Sequence, residues 1–427
     1  MKKLLITLLV GLLLTVSVQT AFCTMAGEEQ AAVEAFRAMP EPVSQPEESL
    51  PEVSSEESSE PVWEPQTVRL LSAGDNLIHS SLYEQAQARS EDGGYDFAYL
   101  YQNVAGYLSG ADITTLNQET VIAPSREVAT YPCFNSPPEL ADYVIDQCGF
   151  DVLNLANNHC LDQGTSGLEE CLSFWKEQHP EVLTTGVYQN EADYQNIRTM
   201  EVNGIIFAFL GMTELTNGLS LSSSSDVVLV QALDNEEMAR LQAQIEEADR
   251  LADVVVMNVH WGNEYSFTPT DRQEYLAEKM TDWGVDIVIG HHPHVLQPVE
   301  TRVTEDGRTA LIAYSLGNFA SAQSDAYCLI GGVLDYSVTR ETEGGEVTLT
   351  DYSLSPVVTH YDSGYRNNRI YLLDDYTDEL AAAHGVRARY ESFSLGYIDS
   401  LLEEVVGREV LDGITVSTAA IDANTQS

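Results

Sequence analysis

From residue 67 onward, short β-branched runs alternate with segments of helical period, and this alternation constrains the fold more than any other feature of the sequence. Segments between the runs, several of which end at a glycine, predict helices. The alternation predicts an α/β layered architecture with reactive groups on loops at the carboxyl ends of the strands. The runs that predict strands are TVRLLSA (67–73), ADITTLN (111–117), DVLNLAN (151–157), VLTTG (182–186), GIIFAFLGM (204–212), DVVVMNVHW (253–261), VDIVIG (285–290) and ALIAYSLGNF (310–319).

Polar side chains that can bind metals follow six of these runs. A single Asp or Asn after a strand usually makes a turn by bonding its own backbone. Their recurrence favours a shared crevice instead, on the expectation that the six strands belong to one sheet. The residues in these positions are Asp75, Asn117, Glu119, Asn157, Asn158, His159, His260, His291, His292, His294 and Asn318.

Carboxylate, amide and imidazole groups in this mixture suit Mn²⁺, Fe, Zn²⁺ or Mg²⁺, and there are enough of them for two ions. Two ions about 3.5–4 Å apart activate an oxygen nucleophile and neutralise an anionic transition state. The chain has 67 acidic and 20 basic residues, with a formal net charge of -47. This charge argues against nucleic acid as a partner, and it means that a polyanionic substrate needs metal ions or a few focused cations.

The stretch GHHPHV (290–295) holds three of the nine histidines of the chain. If this loop is extended, the rings of His292 and His294 point to the same side. Pro293 between them favours an extended conformation at His292. We therefore expect His292 and His294 to be ligands and His291 to support them.

The N-terminal part of the chain reads as an export signal and a spacer. Residues 1–26 have two lysines, an apolar run and small residues, the order of a signal peptide, although an uncleaved anchor is the alternative. Residues 27–66 are rich in Glu, Ser and Pro, which is typical of a disordered acidic linker. We expect an exported protein on the extracellular face of the membrane or cell wall, either secreted or N-terminally anchored. Five cysteines follow Cys23 without a C-x-x-C pair, which argues against a structural zinc site and leaves one disulfide open.

Six ordered motifs carry a resemblance to a known family. They are GDNLIH (74–79), LNQE (116–119), NLANNHCLDQG (154–164), NVHWGNEY (258–265), GHHPHVLQPVE (290–300) and YSLGNF (314–319). Together they resemble the CapA-type poly-γ-glutamate capsule biosynthesis proteins, a branch of the calcineurin-like metallophosphoesterase fold. The resemblance implies a layered, metallophosphoesterase-like β-sandwich flanked by helices over residues 67–373, followed by a helical extension over 374–427.

The resemblance also implies roles for individual residues. His159 matches a histidine that contacts substrate and acts as general acid, and Asp162 either orients that imidazole or caps the helix that follows. Leu77 stands where metallophosphoesterases have the histidine of Asp-x-His, and His79 is a candidate replacement. Glu119 takes the place of a bridging aspartate. The implied metal ligands are Asp75, Glu119, Asn158, His260, His292 and His294.

Five residues are weaker candidates for contacts with substrate or with ligands. Glu264 lies four residues after His260 and could orient it or bind a substrate amine, or it is an ordinary surface carboxylate. Asn318 is expected either in the pocket floor or in a structural turn. The weaker candidates are His79, Asn117, Glu264, His291 and Asn318.

Two functions remain open from the sequence. The first is a metal-dependent hydrolase with two divalent ions, acting on a phosphoester or an amide of a cell-envelope polymer such as poly-γ-glutamate. The second is a non-catalytic accessory subunit of a membrane polymer synthase or export complex, which uses the crevice to hold a carboxylate-rich chain. His159 and Asp162 favour the first function, because simple binding needs no proton donor.

Overall fold

The computed structural model describes residues 63–416. The strands are β1 (Gln66–Asn76), β2 (Ile113–Asn117), β3 (Val152–Asn154), β4 (Leu183–Thr185), β5 (Val187–Tyr188), β6 (Arg198–Val202), β7 (Ile205–Thr213), β8 (Val228–Leu229), β9 (Val254–His260), β10 (Ile287–His291), β11 (Val299–Val303), β12 (Thr309–Ala313), β13 (Asn318–Ala320), β14 (Ile330–Arg340), β15 (Val347–Asp362), β16 (Arg366–Leu372) and β17 (Ile414–Thr415).

The helices surround these strands, and a π-helix (Tyr143–Gln147) continues one of them. The α-helices are α1 (Ser80–Arg89), α2 (Ala98–Tyr101), α3 (Ala105–Leu108), α4 (Glu139–Asp142), α5 (Gly164–Gln178), α6 (Glu191–Tyr194), α7 (Asn235–Leu251), α8 (Asp271–Trp283), α9 (Asp378–Ala383), α10 (Leu395–Val405) and α11 (Arg408–Asp412). Short 3₁₀ turns lie at Ala326–Leu329, Leu373–Asp375 and Gly385–Ala388.

The first sheet has β1 at its centre. The order is β16-β15-β14-β1-β2-β3-β4, with β13 also pairing with β1 and β17 with β15. Strand β1 runs parallel to β2 and antiparallel to β14, so both of its edges are hydrogen-bonded. This places Asp75, near the end of β1, beside the ends of β2 and β13.

The second sheet is mostly parallel and has the order β11-β12-β10-β9-β7-β6. Parallel strands covered on both faces read as continuous apolar runs. Strand β9, VVVMNVH, is buried along its whole length. Helices α7 and α8 cover one face, where Leu241 and Leu276 pack in a cluster with Val255 and Val288.

The core lies between the two sheets. Val68 and Ile113 from the first sheet share one apolar cluster with Phe207 and Val256 from the second. On the other face of the first sheet, Trp175 of α5 belongs to a second cluster. Helices therefore flank a sandwich of two sheets, which confirms the predicted α/β layered class.

The expectation that all six strand ends belong to one sheet is wrong. The run 310–319 is not one strand: β12 ends at Ala313, and β13 begins at Asn318 in the other sheet. Gly317, with φ of 63°, turns the chain between them in a conformation that favours glycine. The polar groups consequently come from two sheets that meet at this corner.

The C-terminal residues pack on the same core. Strand β17 pairs with β15, and Tyr376, Phe393 and Leu402 belong to the cluster between the sheets. Residues 1–62, which carry the predicted signal and most of the predicted linker, lie outside the described residues, as do residues 417–427. Within residues 63–416, no helix has both the length and the apolar character needed to cross a bilayer.

The five cysteines of the described part are free thiols, so the disulfide left open by the sequence is not formed there. Cys133 is exposed, and the other four are buried.

Gly290 allows β10 to pass close to the chain at Tyr314. A Cβ atom at this position would lie 1.9 Å from the carbonyl oxygen of Tyr314, a backbone atom that cannot rotate away. We expect Gly290→Ala to lower the free energy of unfolding by about 3 kcal/mol, at the upper end of overpacking costs. Urea unfolding would measure the change.

Gly106→Ala is the matched control, because a Cβ there meets nothing within 4 Å. An equal, small effect of the two substitutions would contradict the close approach.

Candidate metal centre

Asp75 is a fully buried carboxylate on which both sheets converge. Asn117 Nδ2, at the end of β2, donates to its Oδ1 over 2.7 Å. From the second sheet, the His292 N–H donates to Oδ2 over 3.3 Å, and Nδ1 of His294 and of His291 lie 3.2 and 3.5 Å from the carboxylate. Burial alone would raise the pKa of Asp75, but the neighbouring imidazoles of His291 and His294 hold it well below its usual range.

Glu119 is a fully buried carboxylate without a donor. Neither of its oxygens has a hydrogen-bond partner in the described part of the chain. Burial, and then the nearby charge of Asp75, raise the pKa of Glu119 well above its usual range. Oε1 lies 3.8 Å from Nε2 of both His260 and His294. A buried carboxylate with no donor is costly unless a cation pairs with it, so these residues fit a bound divalent ion.

His294 offers one ring nitrogen to this space. Its Nδ1 lies 3.0 Å from Asn318 Oδ1 and 3.2 Å from Asp75 Oδ2, which leaves Nε2 facing Glu119. Burial lowers the pKa of His294, but the charges of Glu119 and Asp75 outweigh it and raise the pKa to about 9. Fixing one nitrogen through a neighbouring oxygen is the usual way in which a protein aims the other at a metal.

His260 ends β9 and meets the amide groups of the first sheet. Its Nε2 lies 3.0 Å from Asn158 Oδ1, and its Nδ1 lies 3.3 Å from Asn117 Nδ2. Burial and the neighbouring His292 hold the pKa of His260 well below its usual range, so the ring is neutral, the form that binds metals. Asn154, which the sequence reasoning missed, donates to Asn117 Oδ1 over 2.9 Å and fixes that amide.

The GHHPHV loop is not extended, so that expectation is wrong. Strand β10 ends at His291, and His292 and His294 have φ of 97° and 58°. Non-glycine residues in such conformations cost about 1–3 kcal/mol and persist where the surroundings enforce them. Here the turn brings the His292 N–H to Asp75 and still leaves the rings of His292 and His294 with centroids 5.9 Å apart.

His291 is the last residue of β10 and precedes the turn that carries His292 and His294. Its Nε2 is 3.2 Å from Asn258 Oδ1, and its buried Nδ1, directed at Asp75, has no hydrogen-bond partner in residues 63–416. Burial lowers the pKa of His292 to about 3, with a further contribution from His294, so His292 is neutral at ordinary pH.

Two sets of side chains place ligand atoms within 4.8 Å of one another. The first is Asp75, Glu119 and His294, and the second is Glu264, His292 and His294. His79 belongs to neither set. Its Nδ1 lies 3.1 Å from the Leu77 carbonyl oxygen and accepts from the Ala322 N–H over 3.3 Å, or donates to the former, depending on the tautomer.

His159 and Asp162 form a hydrogen-bonded pair just before the N-terminus of α5. His159 Nδ1 lies 2.7 Å from Asp162 Oδ2, which also accepts from the Phe134 N–H over 2.7 Å. Asp162 does not cap α5, whose N-cap is Gln163 and has no side-chain cap. The Phe134 ring meets the His159 ring edge-on at 4.8 Å. No motif in the sequence marks Phe134, because His159 and Asp162 lie 25 and 28 residues away from it along the chain.

Comparisons with known proteins agree with the sequence motifs. The profile of the family described as "Bacterial capsule synthesis protein PGA_cap" matches residues 69–323. "PGA biosynthesis protein CapA" of Bacillus subtilis (strain 168) is 35% identical over 222 residues, 52% of this chain and 56% of that protein. "Capsule biosynthesis protein CapA" of Bacillus anthracis is 34% identical over 242 residues, 54% and 55% of the two chains.

A more distant relative is a "Probable polyglutamine synthesis accessory protein" of Mycobacterium tuberculosis (strain ATCC 25618 / H37Rv). It is 23% identical over 201 residues, 45% of this chain and 52% of its own length. The chain thus matches only about half the length of each of these three relatives. The family matches confirm the resemblance to CapA-type proteins.

The protonation of His294 and Glu119 predicts how the cation-free protein responds to pH. A proton on His294 stabilises the fold fully below the ordinary histidine pKa of about 6.5, and this stabilisation is lost as pH rises through about 9. Glu119 acts in the same direction, because its pKa in the folded state is raised. As pH rises, the unfolded chain ionises this carboxyl more readily than the folded protein does, and the free energy of unfolding falls. We expect the Tm of chelator-treated protein to fall between pH 6.5 and 9, and Mn²⁺ or Zn²⁺ to restore it most at the high end.

Glu119→Gln is the control for this experiment, because it removes the buried charge with little change of shape. Its chelated form should melt higher than the chelated parent at pH 8, and its gain from Mn²⁺ should be smaller. A cation effect on Tm that is equal in parent and variant would argue against Glu119 as a ligand.

Proposed function

Because the chain belongs to the PGA_cap family of bacterial capsule synthesis proteins, we propose that it takes part in making, exporting or attaching poly-γ-glutamate or a related cell-envelope polymer. The names of the two Bacillus relatives support this assignment. The 69–323 match covers the residues from Arg69 in β1 to the segment after β13, and so includes all the crevice residues named above.

We further propose that the crevice is a two-cation hydrolytic site for a phosphoester or an amide. The observation that carries this proposal is Glu119, a buried carboxylate without a donor, 3.8 Å from two imidazoles. The residues that would hold the cations are Asp75, Glu119, Asn158, His260, His292 and His294. Bound there, divalent ions would supply a nucleophilic oxygen at neutral pH and neutralise developing negative charge.

In this proposal the His159–Asp162 pair handles the proton. Ionised Asp162 can only accept, so the proton shared with His159 resides on Nδ1. That leaves Nε2 to give a proton to the leaving group, while the carboxylate keeps the ring in the orientation that this transfer needs. The Phe134 N–H holds Asp162 in place, and the Phe134 ring limits the orientations of His159.

His159→Ala should lower kcat on a phosphodiester reporter or a γ-glutamyl amide by about 10²–10⁴-fold, the usual contribution of general acid catalysis. Asp162→Asn should give a smaller loss, because the ring remains but its orienting charge is gone. Steady-state kinetics at saturating Mn²⁺ would measure both.

Asp146→Asn, an exposed carboxylate on the π-helix, is the matched control and should change kcat little. Melting temperature and bound cation should stay at parental values in all three variants. Unchanged kcat in His159→Ala would exclude the proton-donor role.

An accessory, non-catalytic role is the second candidate. The name of the mycobacterial relative favours it, and so does Asn76, whose side chain is committed to Gln118 and Tyr101 and offers no ligand beside Asp75. In this case the cations would bind the carboxylates of the polymer, and the partner would be a membrane polymer synthase or export complex. Full cation content without turnover on either class of substrate would favour this role over the hydrolase.

We also propose export, with residues 1–26 as the signal and the protein held on the outer face of the membrane or cell wall. In bacterial cells that express the full chain, we expect the protein to be degraded by protease added to intact cells or spheroplasts. A chain that lacks residues 1–26 should remain protected. Equal protection of the two forms would count against export.

A further inference from the structure

The two sets of ligand atoms in the crevice differ in their access to solvent. Asp75, Glu119 and His294 are all buried, whereas Glu264 in the second set is exposed beside the buried His292. His294 is common to both sets. The crevice therefore has a closed inner end and an outer end that opens to solvent.

His294 can complete only one of the two sets. Its Nδ1 is engaged with Asn318 and Asp75, so it has a single nitrogen, Nε2, to offer. One ring nitrogen binds one cation. The inner set has a further metal-ligand atom close by, since His260 Nε2 lies 3.8 Å from Glu119 Oε1. His294 is therefore needed most at the outer end.

His292 is an unsatisfied group at that outer end. The residue is only 5% exposed, and its Nδ1 has no hydrogen-bond partner among the described residues. Its ring centroid is 4.8 Å from that of His260 and 5.9 Å from that of His294. A buried polar nitrogen without a partner is rare in folded proteins and calls for a ligand.

Glu264 is held near His292 by the backbone rather than by chance. The Tyr265 N–H donates to the Pro293 carbonyl over 2.8 Å, which ties the segment after β9 to the GHHPHV loop. Tyr265 adopts φ of 63°, a conformation that a non-glycine residue keeps only when its surroundings enforce it. This tie fixes the residue next to Glu264 against the loop that carries His292 and His294.

We propose that Glu264, His292 and His294 hold an outer divalent cation, separate from an inner one held by Asp75, Glu119, His260 and Asn158. Three protein ligands and an exposed side leave a coordination position open to water or substrate, as in catalytic rather than structural sites. Glu264 is thereby a metal ligand, and not a support for His260 or a contact for a substrate amine. The inference rests on the proposed function only in taking the buried set as the inner cation site.

The test is the number of Mn²⁺ ions bound to the full chain, measured by equilibrium dialysis with elemental analysis at pH 7.5. We expect two equivalents for the parent and one for Glu264→Gln, which alters an exposed side chain and should leave the fold intact. His292→Asn should also bind one, because asparagine tolerates the positive φ at this position. Glu343→Gln, an exposed carboxylate in the turn between β14 and β15, should still bind two.

Each failure has its own signature. Two equivalents in Glu264→Gln, or one in both the parent and Glu264→Gln, would overturn the outer site and leave the inner one standing. No binding by the parent would overturn the proposed two-cation function itself. Loss of both equivalents in Glu264→Gln, with a parental Tm, would overturn the separation into two independent positions.

Discussion

The buried carboxylate of Asp75 is the interaction on which the rest of the structure depends. A charge with no access to water must be hydrogen-bonded or paired, and the groups that do this come from both sheets. Asn117 reaches it from the end of β2, and the residues around His292 reach it from the end of β10. Within the second sheet, Gly290 lets β10 pass close to the chain at Tyr314, which follows β12.

The sequence predicted much of the site because strand ends are where an α/β fold presents side chains. The positions of Asp75, Glu119, His260 and His294 followed from the ends of apolar runs. The pairing of the strands was not predictable, because an apolar run does not indicate which other strand it lies beside. The break at Gly317 that moves Asn318 into the other sheet is one glycine among 28.

Local conformation was harder to predict than position. Pro293 favours an extended residue before it, yet His292 has positive φ, because its N–H is needed by a carboxylate more than 200 residues away. The role of Phe134 was not predictable for a similar reason. Its backbone N–H donates to Asp162, and every residue except proline has such a group, so the sequence does not single it out. In both cases a buried carboxylate far away in the sequence accepts a backbone hydrogen bond that local sequence patterns do not predict.

The hairpin that carries Phe134 also carries Cys133, whose thiol is the exposed one among the five described cysteines. A fluorophore or spin label coupled through mild maleimide chemistry would thus attach beside the His159–Asp162 pair, while the buried thiols react slowly. The folded domain therefore has an attachment point for spectroscopy at Cys133, one residue from the Phe134 ring that borders His159. Binding of a molecule in the crevice would then be observable without any engineered cysteine.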